Sequence, residues 1–208
     1  QTDISLTYHK NVLLVPIVTI CVIWFIYWLE IRFGYNFNKY GIFPRSFRGL
    51  RGVFLSPFIH SDVSHLFNNS VPLFALMASL FYFYKEIAFK ILLIGTILTG
   101  LLCWSFARDS YHIGASGVIY LLFSFIFFSG IIRKYYRLIA MSLVVIFLYG
   151  SMMWFILPTE DRISWEGHLS GFLMGLLFSI LGFIIGVLPG AGVGLHIQLY
   201  FKSNIVPL

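Results

Sequence analysis

Apolar stretches close to the thickness of a bilayer recur along this chain, and they limit its fold more than any other feature. A helix needs roughly 20 apolar residues to cross the hydrocarbon core. Six runs approach that length, at about residues 12–29, 63–84, 87–106, 116–132, 138–157 and 168–188. Of the 208 residues, 59% are hydrophobic and only 11% are charged. A soluble domain of this size cannot bury that much apolar surface. The expected architecture is therefore all-α: a polytopic bundle of six transmembrane helices, with residues 1–208 forming one domain in the lipid bilayer. The first run lacks the basic leader and small-residue cleavage site of a signal peptide, so it reads as a membrane helix.

The net charge of +6 raises the question of nucleic acid. Its basic residues are scattered among the loops, without an aromatic-interleaved patch, so lipid headgroups and topology account for them and no nucleic-acid partner is expected. With the long first loop left out, Lys and Arg divide seven to two in favour of the side holding both termini. That bias places both termini in the cytoplasm, with a bacterial plasma membrane as the expected home. Cys21 and Cys103 both fall inside apolar runs and read as packing residues. The one long connection, 31–59, alternates aromatic residues with Arg and suits a structure lying in the headgroup layer.

Against this background certain polar residues stand out. The second run opens "HSDVSHLFNNS", crowding His60, His65, Asn68 and Asn69 at a membrane face, where polar groups turn toward a cavity or a partner. His65 and Asn69 are four residues apart, about 40° around a helix, while Asn68 points elsewhere. Two N–H donors on one face can serve a developing oxyanion; equally, they can tie helices together. The sixth run opens "SWEGHLSGFLMG", with His168 on the same face as Gly171 and Gly175. Small residues at this spacing let two backbones approach, so the histidine is pressed toward a neighbouring helix.

The fourth run begins with "GASG". Gly114 and Gly117 leave the backbone bare on both sides of Ser116, and a helix starting there presents unsatisfied N–H groups. Tyr120, one turn on, can pack against His168 and hold it toward Ser116. Alone, "GASG" also fits a packing helix whose serine bonds its own backbone. Odd–even counting brings the openings of runs two, four and six to one side of the membrane. Together they supply a nucleophile, a base and oxyanion donors. No Asp or Glu lies within a run near Ser116 or His168, so the arrangement would be a dyad whose histidine is oriented by packing.

In sequence order, "HSDVSHLFNN", "GASG" and "HLSGFLMG" resemble the three motifs of the rhomboid intramembrane serine proteases, and the resemblance runs from the first apolar run through the sixth. It implies Ser116 as nucleophile and His168 as general base. His65, Asn69 and the Ser116 backbone N–H would form the oxyanion site, with His60 near the water path and Tyr120 stacked on the base. Substrates would be single-span membrane proteins, and neither metal nor cofactor is implied. The chain departs from the family where "LRG" at 50–52 stands in place of a Trp-Arg pair. Two other readings use the same residues: a metal-dependent membrane hydrolase built on His60, Asp62, His65 and His168, and a catalytically inactive relative that binds membrane helices.

Overall fold

The computed structural model describes residues 2–148, 157 and 164–184, with side chains described for 12–147, 157 and 164–182. Seven α-helices lie among them: α1 (Thr2–Phe33), α2 (Gly52–Leu55), α3 (Val63–Phe83), α4 (Ala88–Phe106), α5 (Ser116–Ile132), α6 (Tyr136–Leu148) and α7 (Trp165–Ile184). The only extended pairing among the described residues is one antiparallel bridge between Ile42 and His112. Among the described residues, three segments are long and apolar enough to cross a membrane: Val12–Phe33, Val63–Phe83 and Ala88–Phe106. The chain is a helical membrane protein.

The expected runs map onto helices in order, with two informative differences. Helix α1 extends back to Thr2 and α7 starts at Trp165, because a helix continues past its apolar stretch wherever its polar residues tolerate helical geometry. Parts of the runs at 138–157 and 168–188 lie outside the described residues, as does the tail after Pro189.

Helix α5 is the hub. It packs against α3, α4, α6 and, most extensively, α7. Leu121, Leu122, Phe125 and Ile126 are fully buried along it. Outward-facing residues elsewhere are apolar and open, such as Phe25 at 58% and Leu93 at 63% exposure. In lipid, burying apolar side chains supplies little drive for helices to associate, so close backbone contact and polar ties must hold the bundle. One such tie joins Tyr84 Oη and Ser129 Oγ at 2.6 Å, buried beside the Phe125 ring.

The long first connection is folded. Short 3-10 turns at Asn38–Tyr40, Phe47–Arg51 and Ser56–Phe58 flank α2. Gly52, at the point of departure from the family pattern, lies against the backbone of Gly41 and Ile42, where an added Cβ would come within 2.2 Å. Arg51 stacks over Tyr40 and donates to the Lys39 carbonyl at 2.9 Å. Arg45 donates to the Ala107 carbonyl at 2.6 Å and pairs with Asp109, while Trp104 Nε1 donates to Ser46 O at 2.9 Å. The connection is thereby fixed to the end of α4 and to the segment leading into α5.

Candidate active site

The start of α5 is set by glycine. Gly114 has φ +105°, a conformation that disfavours any side chain, and its N–H donates to Ser56 O at 2.9 Å. A Cβ there would also sit 2.7 Å from His65 Nε2 and 3.5 Å from Asn69 Nδ2. The same absence of a side chain thus permits the turn and admits the α3 side chains. Ala115 forms the N-cap position, its N–H directed at His60 Nε2 at 3.4 Å. Ser116 is the first helical residue, so its backbone N–H belongs to the set with no acceptor within the helix.

Glycine also sets the distance to α7. A Cβ at Gly171 would lie 2.0 Å from Gly117 O, and one at Gly175 would lie 2.3 Å from Leu121 O. No side chain fits, so the two backbones touch. Ser124 Oγ adds a hydrogen bond to Phe172 O at 2.7 Å. His168 then reaches Ser116, with Nε2 2.8 Å from Oγ and both residues buried. Tyr120 stacks on the imidazole, its centroid 4.5 Å away and the planes 24° apart. A serine hydroxyl donating to an imidazole at this distance is the ground-state geometry of general-base activation.

The third contribution comes from α3. Asp62 caps the helix by accepting the His65 N–H at 2.8 Å. Asn69 is buried whereas Asn68 is exposed, its amide only 3.5 Å from Ser64 Oγ. Asn69 Nδ2 is buried without a hydrogen-bond partner beside Gly114. A buried donor left unpaired costs about 1–3 kcal/mol, which an arriving anion would recover. The His60 ring lies 5.0 Å from that of His65. Burial, reinforced by the neighbouring His65, pushes the His60 pKa down to about 3, against smaller opposing effects from Phe58 and Asp62. His60 is therefore neutral and can accept from the Ala115 N–H.

A second buried polar group was not singled out by the sequence reasoning. Glu166, in the first turn of α7, is 1% exposed. It accepts from the Arg108 backbone N–H at 3.2 Å, with the Arg108 Nε at 3.5 Å and His112 Nδ1 at 4.0 Å. His112 meets Ser164 Oγ at 2.7 Å and the Arg108 carbonyl at 3.0 Å, and burial lowers its pKa. Two residues from His168 on a helix, Glu166 faces roughly the opposite way. It ties the segment before α5 to the start of α7. A cavity of about 30 Å³ lies between, lined by Ser116, Thr99, Cys103, His112 and Ser164. That is room for a water molecule. Among the described residues no group of three or more His, Cys, Asp or Glu is arranged to hold a metal ion.

Comparison with known proteins places the chain among relatives. The chain is 34% identical over 153 residues to an uncharacterized protein of Mycobacterium tuberculosis, covering 66% of this chain and 61% of that protein. The figures for an uncharacterized protein of Mycobacterium bovis are the same. An uncharacterized protein of Mycobacterium leprae is 32% identical over 133 residues, covering 59% of this chain and 52% of its own length. The chain thus spans about six tenths or less of the length of these relatives. The Rhomboid domain model matches residues 48–187, a stretch that includes all three motifs and most of the helical bundle, and the chain belongs to the rhomboid family.

Proposed function

We propose that this chain is an intramembrane serine protease in which Ser116 is the nucleophile and His168 the general base. The observation that carries this reading is the 2.8 Å contact between Ser116 Oγ and His168 Nε2, held by glycine-to-backbone contact and a stacked tyrosine. His168 Nε2 takes the hydroxyl proton as Oγ attacks the scissile carbonyl carbon. The resulting oxyanion is met by the Ser116 N–H, the Asn69 amide and His65. His168 then passes the proton to the leaving amine as the C–N bond breaks, leaving an acyl ester on Ser116. Water, deprotonated by His168, attacks that ester and restores the hydroxyl. Tyr120 and the α5–α7 contact hold the ring toward Ser116.

The substrates in this reading are single-span membrane proteins cut in or near their transmembrane helices. Helix α5 has 17 residues, about 26 Å at ~1.5 Å per residue, against a hydrocarbon core of about 30 Å. With its far end near one membrane face, Ser116 lies below the other. Six crossings with both termini in the cytoplasm put that opening on the outer side, and the mycobacterial relatives favour a bacterial plasma membrane. The small cavity beside Ser116 offers a place for hydrolytic water.

The test is cleavage of a single-span reporter by purified protein in detergent or vesicles. Ser116→Ala and His168→Ala should each abolish cleavage while leaving the melting behaviour intact. Near-normal turnover by Ser116→Ala would exclude the mechanism. No cleavage by the parent protein with any reporter would favour a rhomboid relative that binds membrane helices without cutting them.

A further inference from the structure

The hydrogen bonds around His65 determine which of its nitrogens carries a proton. Ser61 Oγ lies 2.7 Å from Asp62 Oδ2 and 3.2 Å from His65 Nδ1. Asp62 is exposed, and its carboxyl is held below the usual carboxylate range, chiefly by the His65 backbone N–H and next by Ser61. It is ionised and can only accept, so the single hydroxyl proton of Ser61 goes to Asp62. The lone pair left on Ser61 Oγ then has to accept from His65 Nδ1. A neutral His65 so arranged has its proton on Nδ1 and a bare lone pair on Nε2, the atom beside Gly114. That atom can donate to an oxyanion only after the ring takes up a second proton.

We propose that Asp62 is a positioning residue which, through Ser61, fixes the proton of neutral His65 on Nδ1, so that His65 serves the oxyanion only as an imidazolium. The second clause rests on the protease reading; the first does not. Among the described residues, the groups facing the ring are few. Asp62 caps α3 and Asn69 lies within it, His60 and Ser61 come from the segment before it, and the uncharged backbone of Gly114 comes from the segment before α5. Across the site His168 is bonded to Ser116. Neutral His60 adds no charge, which leaves Asp62 as the one anion in this set to favour a charged His65. Carboxylate and imidazolium together also match what an oxyanion site needs, a donor whose strength rises with the negative charge opposite it.

Asp62→Asn separates this role from capping, since asparagine caps a helix as well as aspartate does. The carboxamide introduced by Asp62→Asn can accept the His65 N–H with its oxygen while its NH₂ donates to Ser61. The hydroxyl proton of Ser61 is then free to go to His65 Nδ1, and the ring proton of neutral His65 moves to Nε2.

Histidine ¹⁵N NMR of the detergent-solubilised full chain reads this directly, with His65 assigned by the signal lost in His65→Gln. In the parent protein at alkaline pH, Nδ1 should be protonated and Nε2 bare; in Asp62→Asn the pattern should reverse. A neutral His65 protonated on Nε2 in the parent, or no reversal in Asp62→Asn, overturns the proposal. In reporter cleavage, the ratio of parent to His65→Ala turnover should rise as pH falls through whatever range NMR shows His65 to charge in. In the Asp62→Asn background the corresponding ratio should stay flat. A flat ratio in the parent, with the tautomers as expected, overturns the imidazolium role and leaves the relay standing. Loss of serine dependence in cleavage would instead count against the protease reading.

Discussion

The two flanks of α5 are built on opposite terms. On the α7 side the contact is backbone against backbone: Gly171 and Gly175 admit no Cβ, and the Ser116–His168 distance follows from that packing. On the α3 side the contact is made by side chains. His65 and Asn69 reach Gly114, and the Asn69 amide is buried without a partner. On the first flank Ser116 already meets His168 before anything binds. The second holds a donor in reserve. In the proposed protease, which must keep its nucleophile activated at rest yet favour a charge existing only in the transition state, that division serves both needs.

The α7 flank should therefore break hardest. A methyl group at Gly171 would lie 2.0 Å from Gly117 O, so even Gly171→Ala must move one helix. A displacement of about 1 Å at the reacting groups costs about 10²-fold in rate. Gly171→Ala should lose at least that much activity and melt earlier, and Gly171→Val should lose more on both counts. Reporter cleavage and thermal melts on the pair decide it; parent-like values for both would show that the backbones are not in contact.

The α3 flank should fail differently. His65→Ala or Asn69→Ala should lower kcat by about 10²–10³ for a main oxyanion donor, and by less for an auxiliary one, while KM and melting temperature change little. Asn68→Ala, exposed and on another face, should be close to neutral. If Asn68→Ala costs more than Asn69→Ala, the helix phase assigned here is wrong.

A smaller effect separates the flanks by pH. His60, on the α3 side, titrates near 3 when folded against about 6.5 when unfolded. The unfolded chain therefore takes the proton first. The stability that neutral His60 supports is intact above about pH 6.5 and is lost progressively as pH falls toward 3. Melts in detergent from pH 7.5 to 5 should show the decline. His60→Gln, which keeps an acceptor for the Ala115 N–H, should reduce it; an unchanged slope would remove His60 from the account.

Much of the α7 flank was legible in the sequence, because it depends on local periodicity. Gly171 and Gly175 share a face with His168 whatever they pack against, and "GASG" marks where α5 begins. The spacing of His65 and Asn69 separated them from Asn68 for the same reason. The buried Glu166 was not legible. Its partner Arg108 lies 58 residues away, a pairing that no local spacing announces. The Asp62–Ser61–His65 chain was hidden differently: its residues are close in sequence, but proton placement depends on which oxygen each atom meets. The bare backbone at Gly114 was legible, but that it is His65 which comes close there needed the α3 helix in place.

Reaction with a fluorophosphonate tests the central claim most directly. A serine hydroxyl is a weak nucleophile unless a neighbouring base takes its proton, so the probe reports whether the 2.8 Å contact between Ser116 and His168 is an activated pair. Mass spectrometry of the labelled, detergent-solubilised protein should place the adduct on Ser116. Labelling should fall sharply in His168→Ala and persist in excess EDTA. An adduct on another serine, with cleavage intact in Ser116→Ala, would contradict the account.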